Sequence, residues 1–231
     1  MRKYKTKIKE YPNGIKQLTV YRTPILVENS NDSIYSVTDP SKVEKSADEI
    51  EFEKLRALWK VKTKIKDYIL SNDFNYFWTL TFDSDRYNYA EAFEKMSKWL
   101  RKMRDKYGRF NYIMIPELHK DGAIHFHGVT GGLGCQINDS GVKHKGVKVY
   151  NCPEWKHGFT TLTKIRSREK TASYVTKYVT KEMQNSIVEK GKKKYWCSRG
   201  MRLPAVSYSS EDLGKNLIPI FENETCLIYR N

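Results

Sequence analysis

Two histidines one residue apart, His125 and His127, lie in the stretch Ile113 to Gly128, IMIPELHKDGAIHFHG. The stretch reads as a strand, a turn at Lys120-Asp121-Gly122 and a returning strand that carries both rings. Side chains two apart on a strand share a face, so the imidazoles converge on one spot. Glu117 stands eight positions before His125, where hairpin pairing could set its carboxylate beside the rings. Two imidazoles and a carboxylate leave open positions on a divalent ion, as catalysis needs and a structural site does not. An H-x-H on a strand also arises incidentally, so this stretch alone leaves the question open.

A second segment offers nucleophiles. From Glu169 to Gln184, EKTASYVTKYVTKEMQ, a four-residue unit repeats as Tyr174-Val-Thr-Lys177 and Tyr178-Val-Thr-Lys181. Read as a helix, this spacing stacks Tyr174 and Tyr178 on one face and Lys177 and Lys181 on a neighbouring one. The β-branched Val175, Thr176, Val179 and Thr180 are poor helix formers, so packing must hold the helix. A phenol with a pKa near 10 is about one part in a thousand ionised at neutral pH. It attacks only if it is activated or if its target is made more electrophilic. A metal on a phosphate does the second, and a nearby lysine can stabilise the phenolate. The alternative is a plain core face with tyrosines at i and i+4.

The elements that must position these groups follow from patterning. Tyr76 to Phe82, YFWTLTF, reads as a buried strand, and Gly158 to Ile165 as another. Ser46 and Glu49 form a capping box ahead of an amphipathic helix of about 25 residues with Ile50, Leu55, Leu58, Trp59, Ile65 and Ile69 on its apolar face. A second helix runs from about Tyr89 to Tyr107 with Phe93, Met96, Leu100, Met103 and Tyr107 on one side and Gly108 as its stop. Its other side bears Lys95, Lys98, Arg101, Lys102, Arg104 and Lys106, a denser basic stripe than solubility requires. The polar stretch up to about Asn151 reads as an insertion or surface hairpin. Residues 1–45 read as an arm or hairpin turning at Pro12-Asn13-Gly14, with a loop at Glu28 to Ser33. This arm is either a DNA contact or an edge strand protected by lysines. Residues 46–205 are expected to form the main domain, and 206–231 a tail that contributes a strand packed on it.

Composition narrows the partner. The chain of 231 residues has 42 basic against 27 acidic side chains, a formal net charge of +15, which argues for a polyanion. Its 16 Tyr, 9 Phe and 5 Trp, interleaved with the basic residues, suit nucleic-acid bases, which stack on aromatic rings for about 1–3 kcal/mol each. No secretory signal and no apolar run near the roughly 18 residues of a membrane span are present, so a cytoplasmic protein without a membrane partner is expected. The four cysteines are scattered and lack CxxC pairing, so reduced thiols are the default. A zinc set of Cys135, His144, Cys152 and His157 matches no usual ligand spacing. No Walker-type loop occurs, which excludes an ATPase of the usual kind.

Phe77 to Phe82 (FWTLTF), Pro116 to Gly128 (PELHKDGAIHFHG) and Tyr174 to Lys181 (YVTKYVTK), in that order, resemble the three motifs of HUH endonucleases. More narrowly they resemble the rolling-circle replication initiators of small single-stranded DNA phages and plasmids, in the class with two tyrosines. Trp155, Gly158 and YWCSRGMRLP from Tyr195 to Pro204 also look like that group. The resemblance implies an α+β fold, a central antiparallel sheet flanked by helices in a ferredoxin- or RRM-like palm.

It also implies that His125 and His127 are metal ligands, with Glu117 as the acidic third ligand and His119 as its rival. The ion would be Mn²⁺ or Mg²⁺: two imidazoles lean towards Mn²⁺, availability towards Mg²⁺. Tyr174 and Tyr178 would be nucleophiles, assisted by Lys177 and Lys181. The implied activity is origin nicking and strand transfer on single-stranded or hairpin DNA through a 5′-phosphotyrosine, with a host helicase and DNA polymerase as partners. A conjugative relaxase or an HUH transposase would share this chemistry. A non-catalytic DNA-binding replication regulator is the alternative of another class.

Overall fold

The computed structural model describes residues 2–27, 46–84, 87–180 and 195–230. In chain order its elements are β1 (Arg2–Glu10), β2 (Lys16–Val27), α1 (Ala47–Ser71), β3 (Tyr76–Leu80), α2 (Tyr89–Tyr107), β4 (Asn111–Leu118), β5 (Ile124–Gly131), β6 (Asn138–His144) and β7 (Val147–Asn151). There follow β8 (Thr160–Lys164), α3 (Arg168–Val175), a 3₁₀ turn (Thr176–Tyr178), β9 (Trp196–Cys197), β10 (Ala205–Ser209), β11 (Phe221–Glu222) and β12 (Cys226–Arg230). The fold is α+β, with two antiparallel sheets and three helices among the described residues. The chain divides into two compact units, Met1–Ile50 with Leu203–Asn231, and Glu51–Arg202.

The first unit is built on a five-stranded sheet in the order β10-β1-β2-β12-β11. Its β1–β2 turn closes through Tyr11 N–H to Ile15 O at 2.9 Å and Gly14 N–H to Tyr11 O at 3.0 Å. Gly14 sits at φ +83°, a conformation that glycine adopts without strain. Because β10 and β2 flank β1, the N-terminal strand is not the lysine-protected edge that its sequence allowed. The loop expected at Glu28 to Ser33 lies outside the described residues.

The second unit holds a seven-stranded sheet in the order β6-β7-β8-β3-β5-β4-β9. One face of its central strands presents Trp78, Leu80, Met114, Phe126 and Leu162, which form one core with Met96, Trp99, Leu100 and Met103 of α2. Trp78 and Trp99 meet edge to face at 5.5 Å. Helix α2 starts where the Asn88 side chain accepts the Glu91 N–H and stops where Gly108 takes φ +82° and donates its N–H to Arg104 O. At α1 the capping box is formed both ways, Ser46 N–H to Glu49 at 2.9 Å and Glu49 N–H to Ser46 Oγ at 3.2 Å. The apolar face expected along all of α1 is buried only from Leu58 onward, and Ile50 and Trp59 are exposed. The polar excursion is the β6–β7 hairpin, turning through Lys145 at φ 49° and Gly146 at φ 76°.

Gly128 ends the histidine stretch, opposite Met114 on β4. A Cβ built there would collide with the Ile113 carbonyl oxygen and stand 2.5 Å from Met114 Sδ. Both belong to fully buried residues with no room to give way. Gly128→Ala is therefore expected to destabilise the protein by about 1–3 kcal/mol or more, seen as a lower denaturation midpoint.

Candidate active site

The face of the sheet opposite α2 carries the chemistry. In the β4–β5 hairpin Glu117 is directly opposite His125 and Ile115 opposite His127, and on the other side of β5 Thr79 is opposite His127. The period of two then brings Phe77, Thr79, Glu117, His125 and His127 to one side. The turn is closed by His119 N–H to Ala123 O at 2.8 Å and Gly122 N–H to His119 O at 2.9 Å. It folds His119 back over His125, with ring centroids 3.8 Å apart.

His119, His125 and His127 each offer a ring nitrogen within 4.8 Å of the others, a group able to hold a metal ion. Glu117 Oε2 reaches two of them, His127 Nε2 at 2.6 Å and His119 Nε2 at 3.3 Å. His119 and Glu117 therefore both stand beside the pair His125 and His127, and the carboxylate lies between His119 and His127. This donor set of imidazoles and one carboxylate fits a borderline or hard divalent cation such as Mn²⁺ or Mg²⁺. His127 is buried, and its other nitrogen, Nδ1, is 3.1 Å from Thr79 Oγ1. Such a partner fixes ring orientation and tautomer.

The hydrogen bond with His127 holds the Glu117 carboxyl below the ordinary carboxylate range, and the positive charge available to the three rings adds to this. Burial, then repulsion from His119 and His127, pushes His125 down to about 4. The ring is thus neutral, as a ligand must be, at any pH near neutrality. In an NMR titration the His125 ring signals are expected to stay constant from about pH 8 down to about pH 5.5. An unfolded chain binds this proton near pH 6.5 and the folded one only near 4. The folded state then binds fewer protons between those values, so His125 takes stability away as the pH falls through that window.

The tyrosines meet the same face. The α-helix expected from Glu169 to Gln184 begins at Arg168, capped by Ser167 Oγ accepting the Lys170 N–H at 3.2 Å. It tightens to a 3₁₀ turn after Val175. The β-branched run explains this, since the Thr176 hydroxyl donates back to Ala172 O at 3.0 Å and Ser173 O at 3.1 Å. The pairing of the phenols survives the change, with Tyr178 Oη donating to Tyr174 Oη at 2.8 Å. The Tyr178 ring lies flat on the His127 imidazole at 3.9 Å and 11°. Phe77 supports the group, edge-on to Tyr174 at 5.2 Å and roughly parallel to Tyr178 at 6.2 Å. Burial, then the hydrogen bond to Tyr174, raises the Tyr178 pKa, whereas Tyr174 is exposed. Lys177 Nζ lies 5.8 Å over the Tyr174 ring. Lys181 lies outside the described residues.

Residues 75–183 match a family model for replication-associated proteins of the ORF2 type. The matched segment, a little under half of the chain, takes in β3, the histidine hairpin and both tyrosines. It agrees with the family resemblance carried by the motifs. No curated protein and no solved structure matches the chain. No helix among the described residues is long and apolar enough to cross a membrane.

Thr79 and Phe77 are site residues that sequence patterning left without a role. Their signal was present in FWTLTF, whose alternate positions 77 and 79 must share a face once the strand is paired.

Proposed function

We propose that this protein is a metal-dependent nicking and strand-transfer endonuclease that initiates rolling-circle DNA replication at a specific origin. The observation that carries the reading is the Tyr178 ring stacked 3.9 Å from His127, which joins the paired phenols to the histidine cluster on one face of the sheet. The similarity of residues 75–183 to replication-associated proteins supports it. A divalent cation, Mn²⁺ or Mg²⁺, held by His125, His127 and Glu117 or His119, would supply Lewis-acid polarisation of the scissile phosphate.

The chain's own groups do the rest. One tyrosine Oη attacks phosphorus, the bond from phosphorus to the 3′ oxygen breaks, and that oxygen leaves as a 3′-OH after taking a proton. The product is a 5′-phosphotyrosine that keeps the energy of the broken bond, and the 3′-OH primes copying. The second tyrosine cleaves the regenerated origin, and the freed 3′-OH attacks the first linkage to close the circle. Lys177 and Lys181 stabilise charge at the phenols. The basic and aromatic surface would hold single-stranded or hairpin origin DNA, with a host helicase and polymerase completing replication in the host cytoplasm.

The test is incubation with labelled single-stranded origin DNA and Mn²⁺, followed by a denaturing gel. A protein-linked strand is expected. DNA binding without any adduct, on every origin-derived strand, would leave the non-catalytic regulator as the reading. Mapping the attached 5′ end separates a replication origin from a conjugative transfer origin or a transposon end.

A further inference from the structure

On the α2 side of the same sheet, opposite the histidines, stands a second group of ligand-type side chains. Cys135 and Cys152 bracket the β6–β7 hairpin in sequence, and Glu154 follows two residues after Cys152. The two sulfurs and a Glu154 oxygen all lie within 4.8 Å of one another. Cys152 is buried, with its backbone N–H donated to Thr160 Oγ1 at 2.8 Å. Its sulfur receives the Cys135 thiol and the backbone N–H groups of Glu154 and Trp155. Amide N–H groups aimed at one sulfur stabilise a thiolate, the form that binds metal.

The carboxylate is held as a ligating carboxylate requires. Glu154 Oε1 takes Lys106 Nζ at 2.6 Å, and Oε2 takes Tyr107 Oη at 2.9 Å and the Gln136 N–H at 3.2 Å. Outer hydrogen bonds of this kind orient a metal-bound carboxylate. Two thiolates and a carboxylate exceed the charge of a dication by one, and the Lys106 ammonium supplies the balance. A pair of core thiols would need neither the amide donors nor an oriented carboxylate beside them.

We propose that Cys135, Cys152 and Glu154 form a binding site for a thiophilic divalent cation, Zn²⁺ by its chemistry, that pins the base of the β6–β7 hairpin to the end of α2. Sulfur ligands select Zn²⁺ over Mg²⁺, Mn²⁺ or Ca²⁺, so this site is chemically distinct from the histidine cluster. Two thiol protons pass to solvent on binding, and water takes the fourth position. The set departs from the Cys/His pattern weighed on sequence, as neither His144 nor His157 belongs to it.

The experiment uses the full chain, stripped with a chelator and titrated with Co²⁺. A sulfur-to-cobalt charge-transfer band in the near ultraviolet is expected to saturate at one equivalent and to be displaced by Zn²⁺. Cobalt on the histidines alone cannot give this band. Without any substitution, a thiol-reactive reagent read by peptide mass spectrometry should find Cys135 and Cys152 protected by Zn²⁺ and Cys197 and Cys226 unaffected. Cys135→Ser with Cys152→Ser should abolish the band, and Glu154→Gln should weaken Zn²⁺ binding by at least about tenfold. The proposal is overturned by the absence of the band in the wild-type chain, by its survival in the double serine variant, or by labelling of Cys135 and Cys152 that ignores Zn²⁺.

Discussion

Replacing Tyr174 and Tyr178 together by phenylalanine is expected to lower covalent adduct formation and nicking by on the order of 10⁴-fold or more, the scale on which enzymes lose activity with their nucleophile. Each phenol can reach the other, since their oxygens are 2.8 Å apart, so either single variant should keep measurable cleavage. The two singles should not be equal. Tyr178 is half-buried, donates its proton to Tyr174 and has its pKa raised by that burial and bond. Tyr174 is exposed, accepts that hydrogen bond and has the Lys177 ammonium over its ring. Accepting a hydrogen bond and facing a cation both favour the phenolate, and donating a buried proton opposes it. Tyr174→Phe should therefore slow the first cleavage more than Tyr178→Phe. Single-turnover cleavage of an origin oligonucleotide, with the adduct located by peptide mapping, measures all three variants. Phenylalanine keeps both rings against Phe77 and His127, so a loss cannot be ascribed to lost packing. A double variant with wild-type cleavage would remove the tyrosines from the mechanism.

These groups were legible in the sequence to different depths, for reasons that are physical. The histidine hairpin was readable because three local signals agree: period-two alternation, the Lys120-Asp121-Gly122 turn and the even spacing of His125 and His127. That agreement sets the register in which Glu117 faces His125. Capping signals likewise placed the ends of α2. The early tightening of α3 was only half legible. The β-branched run warned of a weak helix, but the competing Thr176 hydroxyl bonds appear only with the backbone folded. Thr79 was missed because its role depends on β3 lying beside β5, a pairing between segments about fifty residues apart that no local pattern records. His119 follows β4, so its direction is decided by the turn and not by strand alternation. The pairing of β10 with β1 and of β12 with β2 is longer in range still, and a strand read from residues 206–231 carries no information about which sheet receives it.

His127→Ala should be the most damaging single change at the cation site. Among the three histidines it alone is buried, and it joins every part of the site: Glu117 at 2.6 Å, Thr79 at 3.1 Å and the Tyr178 ring at 3.9 Å. Its loss removes a ligand, leaves the Glu117 carboxylate without its closest partner and takes away the surface on which Tyr178 rests. Cleavage at saturating Mn²⁺ should drop by at least about 10²–10³-fold, the range seen when one preorganised electrostatic contact to a transition state is removed. His119 is exposed and its contact with Glu117 is longer, 3.3 Å. His119→Ala should therefore be the milder variant, with part of its activity restored by raising the Mn²⁺ concentration. Glu117→Gln decides which of the two completes the ligand set. If the carboxylate is the ligand, this variant requires far more Mn²⁺ than His119→Ala, and if His119 is the ligand the order reverses. Binding of the uncleaved oligonucleotide rests on phosphate contacts, so it should persist in all three variants and without metal, weakening steeply with salt. That persistence separates loss of chemistry from loss of fold. Wild-type cleavage by His127→Ala at low Mn²⁺ would remove the histidine cluster from the reaction.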